Sequence, residues 1–362
     1  MSVDKVRMVK GPARVIVDGT CQVLGSDVSG QTIKVRVGKA LPFEPSGMCR
    51  LRARLGRGGR TWVADHEEAG TSMWHDVALQ VSALAVDRKI TVMLAGDTDT
   101  GKSTLSAYLA NIALLRGLAP CVIDGDIGQG DLGPPAGISA AALSGPVTDL
   151  RDASASMFEF VGDISPTGLE RLVAEKLRSI LERAGPLGDV CIVNTDGYVR
   201  DAGVGYKLMV ARELRPDAIV CLGENSALTD ALAGGPWQVL RARASSQTPK
   251  SRFERAGRRL DQFLRHVGRG SSAAELQRLK FVYAGKLFLP PELQRPPIKQ
   301  LERENLKRMF VGLGSAGMVA GFGVVTGVST SIIRVQTDID YFDTVYLSNI
   351  RLCRGRAAEI RL

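Results

Sequence analysis

No C-x-x-C pair occurs among the six cysteines, Cys21, Cys49, Cys121, Cys191, Cys221 and Cys353. That argues against a zinc ribbon or a dithiol redox centre. Cys121, Cys191 and Cys221 sit inside apolar runs, where a thiol serves as a small hydrophobe. Such usage fits a reducing cytoplasm. The opening segment MSVDKVRMVK lacks an apolar run, so no secretory signal is expected. No internal repeat of fixed period is present. Charge is absent from Met309 to Ile333, a span long enough to cross a bilayer. Gly312, Gly314, Gly317, Gly321, Gly323 and Gly327 interrupt it. Gly317 and Gly321 fit a G-x-x-x-G helix-pairing motif, but pieces such as GFGVVTGV and TSIIRVQT favour a β domain over a membrane span.

What is present describes a globular chain. Its 362 residues are 44% hydrophobic and 23% charged, and at ~150 residues per domain they make two or three domains. The 47 basic residues outnumber 38 acidic ones, for a net charge of +9. Such an excess favours polyanionic partners: nucleic acid, an anionic membrane or phosphorylated substrates. An Arg-rich composition without a partner explains the total equally well, so the placement of the charge decides.

The chain changes grammar twice. Residues 1–85 read as a small β domain, with short runs such as ARVIVDG, CQVLGSD, TIKVRVG and MCRLRARLG between turn signals, and with no long helical period. Residues 86–272 alternate strand and helix. ITVMLAG (90–96), PCVIDG (120–125), DVCIVNT (189–195) and DAIVCLG (217–223) are nearly continuous apolar runs, as parallel strands buried on both faces require. Leu105, Tyr108, Leu109, Ile112 and Leu115 fall at helical spacing, with Gly117 as a C-terminal stop. Leu169, Leu172, Val173, Leu177, Ile180 and Leu181 mark a second helix. Residues 273–362 return to β after a proline-rich connector, LFLPPELQRPPIKQ. The expected fold is α/β: a central domain with a mainly parallel sheet, flanked by small N- and C-terminal β domains.

One motif carries chemistry by itself. Gly96-Asp-Thr-Asp-Thr-Gly101-Lys102-Ser103 matches G-x-x-x-x-G-K-[ST] between an expected strand and an expected helix. Glycines let consecutive N–H groups curl around phosphate oxygens, and the helix adds its N-terminal dipole. Lys102 reaches the β- and γ-phosphates and the Ser103 hydroxyl ligates Mg²⁺. Gly96, Asp97, Thr98, Asp99, Thr100, Gly101, Lys102, Ser103 and Thr104 are therefore the candidate nucleotide-binding residues. Asp124 and Asp126 follow at the end of the next strand, where a hard oxygen donor for Mg²⁺ is needed. They are expected to hold different roles, one on the water shell of the metal and one facing the nucleophile. No N-K-x-D guanine reader is present, which favours ATP over GTP. From Arg241 to Arg269 nine Lys/Arg stand against Glu254 and Asp261. Arg252, Arg255 and Arg259 are spaced to share one helix face, as suits a lid gripping phosphoryl oxygens.

Together, GDTDTGKST, DGDIGQGDLGPPAG, GDISPTG, NTDGY, GVGYKL and the Arg-rich helix resemble the P-loop polynucleotide 5′-hydroxyl kinases of the Clp/Grc type, and archaeal members in size. The resemblance implies that the central domain is a P-loop kinase domain and that Lys102 and Ser103 serve ATP and magnesium. It implies that Asp126, of D-x-G-Q, is the general base for a 5′-hydroxyl and that Gln129 lies near substrate and metal. Thr195 and Tyr198 match a clasp that holds the terminal nucleotide, Tyr198 standing where many members have Trp. The lid arginines are sought among Arg252, Arg255 and Arg258. Gln22 stands where some relatives have a Glu that contacts adenine.

The expected activity is transfer of the ATP γ-phosphate to the 5′-hydroxyl of RNA or DNA, in the cytoplasm, with no membrane and with protein partners of RNA processing left open. An ATP-bound scaffold with little kinase activity and a P-loop ATPase or GTPase switch are the rival expectations.

Overall fold

The structure, a computed structural model, describes residues 5–244, 250–289, 302–353 and 356–359. The proline-rich connector lies, from residue 290 onward, outside the described residues. The principal elements begin with β1 (Val6–Lys10), β2 (Ala13–Val23), β3 (Thr32–Val35), β4 (Ala40–Leu55), β5 (Arg60–Ala64) and α1 (Thr71–Leu84). Next come β6 (Ile90–Gly96), α2 (Lys102–Leu115), β7 (Pro120–Gly125), β8 (Gly137–Ala142), β9 (Met157–Phe160), α3 (Glu170–Ala184) and β10 (Val190–Thr195). Then follow α4 (Ala202–Leu214), β11 (Ala218–Leu222), α5 (Ser226–Ala233), β12 (Gln238–Ala242) and α6 (Arg252–His266). The last are β13 (Ser271–Glu275), β14 (Lys280–Tyr283), β15 (Phe310–Ser315), β16 (Met318–Val328), β17 (Ile332–Gln336) and β18 (Thr344–Tyr346).

Two compact units share this chain: Met1–Ile123, Ala141–Ser154 and Arg183–Glu254 in the first, Asp124–Ala140, Ala155–Glu182 and Arg255–Leu362 in the second. They are discontinuous in sequence. The segments 1–85, 86–272 and 273–362 thus describe the order of element types along the chain, not these units.

The first unit holds an antiparallel sheet in the order β2–β4–β1–β5, with β3 on β2. It also holds the parallel strands β12–β11–β6–β10, with β7 beyond β10. The four expected apolar runs are the four strands β6, β7, β10 and β11, and nearly every residue in them is buried. The strand bonded to β6 on the β7 side is β10, so β7 is not the immediate neighbour of the phosphate-loop strand that its place in the sequence suggested.

Within residues 1–85 the structure corrects the all-β expectation, because α1 is a helix. Its buried face, Thr71, Trp74, Val77, Ala78, Val81 and Ser82, has helical spacing. Two of those positions are hydroxyl residues and one is alanine, so the apolar contrast was weak. Trp74 packs edge-on against Tyr108 of α2, with ring centroids 6.2 Å apart. Asn111 of α2, fully buried, donates to the Leu24 carbonyl at 2.8 Å and so ties the end of β2 to the phosphate-loop helix.

The second unit is mainly antiparallel. β9 pairs with β8 and β16, β15 with β16 and β18, and β17 with β13 and β16. The charge-free stretch is therefore β15, β16 and the start of β17 rather than a span. Among the described residues no helix is long and apolar enough to cross a membrane. Phe160, Phe310 and Phe322 form the aromatic centre of this unit, and Phe263 of α6 packs on Phe310 at 4.7 Å between centroids. That packing fixes α6 lengthwise, and the register of its charged residues with it.

Candidate active site

The phosphate loop closes on its own backbone. Gly101, at φ 100, starts α2 from a left-handed conformation that a side chain would oppose. No side chain caps the helix, so its first amides are left for an anion. Lys102 is buried, and its Nζ donates to the carbonyls of Gly96 and Asp97, each at 2.8 Å. The ammonium is thereby held inside the loop.

Asp97 and Asp99 are used differently from what a phosphate contact would need. The Asp97 carboxylate accepts from Arg200 Nε at 2.8 Å and Nη2 at 2.6 Å. Asp99, at φ 64, accepts from the Lys250 amide at 3.0 Å and its Nζ at 2.5 Å. Both carboxylates are matched to cations, and those interactions hold a non-glycine residue in a strained conformation. Thr100 Oγ1 donates to the Asp97 carbonyl at 2.9 Å. Thr104 is buried. Asn194 Nδ2 lies 3.4 Å from the Ser103 hydroxyl, a long and weak contact.

The loop after β10 rests on this one. Thr195 is fully buried and its Oγ1 donates to the Leu94 carbonyl of β6 at 2.7 Å. A Cβ at Gly197 would lie 2.3 Å from Thr98 Oγ1, so only glycine permits this approach. Asp196 accepts from the Tyr198 amide and the Tyr206 hydroxyl, both at 2.8 Å, and pairs with Lys207 Nζ at 2.9 Å. Lys207 is fully buried. The half-buried Tyr198 ring packs beside Tyr206, 6.0 Å between centroids. Sequence reasoning quoted GYKL without giving Tyr206 or Lys207 a role, and passed over Asp196. The signal that could have found them was a lysine on the apolar face of an expected helix.

The loop after β7 belongs to the second unit from Asp124 onward. Asp124 is buried, and its Oδ2 accepts from the amides of Asp131 at 2.6 Å and Leu132 at 3.0 Å. Its Oδ1 accepts from the Asp126 amide at 3.3 Å. Asp126 Oδ1 accepts from the amides of Gly128 at 3.1 Å and Gln129 at 2.8 Å, which fixes the carboxylate at the head of a tight turn. Gln129 Nε2 donates to the Gly128 carbonyl at 2.8 Å, while its buried Oε1 has no hydrogen-bond partner among the described residues.

Helix α6 secures that loop through two of its side chains. Arg258 pairs with Asp131, and both side chains are nearly or fully buried. Gln262 Nε2 donates to the carbonyls of Gly130 and Asp131, at 3.1 and 2.9 Å. His266, one turn on, is half-buried against Phe322, and burial pushes its imidazole below the ordinary 6.5. Among the three lid candidates, Arg258 is thus committed to the loop after β7. Arg252 is exposed and Arg255 half-buried. Gln22 is exposed on β2, opposite Glu44 of β4. Lys250, Arg200, Asp131 and Gln262 were not singled out from the sequence, because each acts through a partner far away in the chain.

Comparison with known proteins gives a consistent picture. The family described as mRNA cleavage and polyadenylation factor CLP1 P-loop matches residues 96–266. A polyribonucleotide 5′-hydroxyl-kinase of Pyrococcus horikoshii is 31% identical over 273 residues, 74% of each chain. One of Pyrococcus abyssi is 32% identical over 266 residues, 72% of this chain and 74% of that one. The polyribonucleotide 5′-hydroxyl-kinase Clp1 of Xenopus tropicalis is 28% identical, covering 66% of this chain and 64% of its own. The solved Clp1p–Pcf11p complex contains a chain of the same fold, with a TM-score of 0.72 over 96% of both chains at 14% identity.

Proposed function

This chain belongs to the family of polyribonucleotide 5′-hydroxyl-kinases, and from that premise we propose that it transfers the γ-phosphate of ATP to the 5′-hydroxyl of an RNA end. The observation that carries the proposal is the phosphate loop with its buried, backbone-held Lys102. On ATP binding, Lys102 exchanges the Gly96 and Asp97 carbonyls for β- and γ-phosphate oxygens. Asp126 accepts the proton of the attacking hydroxyl, its carboxylate pre-oriented by the Gly128 and Gln129 amides. Arg252 and Arg255 grip the transferring group, and Arg258 acts as a positioning residue through Asp131. Tyr198 offers its ring to the terminal base. Positioning and electrostatics then carry most of the rate.

The donor set fits Mg²⁺. Ser103 offers a hydroxyl oxygen, and Asp124, whose oxygens already accept three amides, would act through water. Among the described residues no group of three or more His, Cys, Asp or Glu forms a cage, as suits a cation shared with substrate phosphates. When bound, Mg²⁺ neutralises charge between the β- and γ-phosphates. All six cysteines are free thiols, which supports a cytoplasmic setting. A protein partner from RNA processing is part of the same proposal.

The test is label transfer from γ-labelled ATP to a 5′-hydroxyl oligoribonucleotide in Mg²⁺, with wild type, Lys102→Ala and Asp126→Asn. Label on the oligonucleotide that disappears in both variants is the expected result. ATP binding without transfer in the wild type would turn the chain into a scaffold. Phosphate release indifferent to the oligonucleotide would make it a switch. Arg252→Ala and Arg255→Ala should slow turnover more than they weaken ATP binding.

A further inference from the structure

The N-terminal sheet carries a row of cations that no part of the proposed reaction uses. In β2–β4 pairing, Arg14 lies opposite Arg54, Ile16 opposite Arg52 and Asp18 opposite Arg50. On the other side of β2, Arg14 lies opposite Lys34 of β3. Cross-strand partners point to the same side of a sheet, as do residues two apart on one strand. Arg14, Lys34, Arg50, Arg52 and Arg54 therefore share one face, with Asp18 as the acid among them. All are exposed, while the alternate residues Ala13, Val15 and Val17 of β2 and Ile33 and Val35 of β3 are buried. None of the five cations makes an ion pair among the described residues.

This arrangement works against the fold. Like charges directly opposite each other destabilise a sheet, and Arg14 faces a cation on both sides. A solvated face needs no single sign of charge. Cys49–Leu55 of β4 pairs with β2, whereas β1 reaches only Ala40–Phe43. Among the described residues no strand pairs with the outer side of that part of β4. Charged residues do protect open edges, and Lys34 too lies on an edge strand, but Arg14 lies on β2, paired on both sides by β3 and β4. Repulsion around Arg14, offset on this face only by Asp18 opposite Arg50, marks a surface kept for a polyanion.

We propose that this face binds the sugar–phosphate backbone of the polynucleotide substrate downstream of its 5′ end. The proposal rests on the kinase reading for the identity of the polyanion. The cations meet phosphates, so they set affinity and register without reading sequence. A second copy of the chain is a poor occupant, since the same cations would oppose one another. The residue that follows β2, Leu24, has its carbonyl bonded to Asn111 of the phosphate-loop helix, so the face is built on a strand anchored to the catalytic framework.

The test compares wild type with R50E/R52E/R54E on a 5′-hydroxyl trinucleotide and on a long 5′-hydroxyl oligoribonucleotide. For the long substrate, KM and the anisotropy-derived Kd should rise about tenfold or more. The slope of log Kd against log salt should flatten by about 0.7 for each phosphate that the variant no longer neutralises. The KM for ATP, the trinucleotide KM and kcat should stay unchanged. R50Q/R52Q/R54Q, which removes charge without reversing it, should fall between the two and melt no lower than wild type. Equal effects on short and long substrates, or none on either, overturn the proposal. So does displacement by an acidic peptide of equal charge with no length effect, which would assign the face to an acidic protein. The binding arm needs no catalysis. Long-oligonucleotide binding that is lost in the variant while wild type transfers no label would sink the kinase reading and leave this one standing.

Discussion

The loop after β6 and the loop after β7 both end buried parallel-type strands, yet they are held by opposite means. The phosphate loop is fixed by its own backbone and by Lys102 folded onto the Gly96 and Asp97 carbonyls. The acceptor loop is fixed by side chains: Asp124 and Asp126 gather its amides, and Arg258 and Gln262 reach in from a helix more than a hundred residues later. Under the proposed function, the first loop keeps its amides for a ligand, and the second spends its amides on holding the carboxylate that would take the proton.

This contrast can be broken at four points. Asp126→Asn keeps an oxygen for the Gly128 and Gln129 amides but cannot take a proton. Its kcat should fall ~10²- to 10⁴-fold, with the melting temperature held, which steady-state kinetics beside a thermal melt will show. Asp131→Asn, five residues on, should do the reverse. It takes away the carboxylate charge that meets buried Arg258, and should cost about 3–5 kcal/mol in denaturant unfolding. If Asp131→Asn lowers kcat without loss of stability, the division between aiming and holding is wrong.

Lys102→Ala should reduce kcat ~10²- to 10³-fold by removing one transition-state donor, with a smaller effect on stability than Asp131→Asn. The smallest effect concerns acid. Burial lowers the His266 imidazole below the ordinary 6.5, so the unfolded chain binds more protons between the two values. Stability is then fully present above 6.5 and declines as pH falls through that window. Melts at about pH 7.5 and about pH 5 should differ more for wild type than for His266→Gln. Equal differences would show that the burial of His266 does not set this pH dependence.

The strands of the parallel sheet were legible because burial on both faces leaves no room for polar residues, as in ITVMLAG and DVCIVNT. Helix α6 was legible through its charge, and Gly117 after α2 does adopt the left-handed φ of 74 expected of a helix stop. α1 was not, since Thr71 and Ser82 on its inner face blurred the period. Arg258 was grouped with Arg252 and Arg255 because sequence spacing does not show which arginine meets a buried carboxylate. The Asp196–Lys207 pair went unassigned for the same reason: a lysine is read as solvated until packing closes over it.

Sequence alone determined the phosphate loop, the alternation of strands and helices through the parallel sheet, and the excess of positive charge, since backbone curvature, periodicity and net charge are local or additive properties. Tertiary structure decided which carboxylate each cation meets, that β10 stands between β6 and β7, and that five separated cations fall into one row on the N-terminal sheet. Those outcomes depend on register and burial, which exist only once distant segments lie side by side.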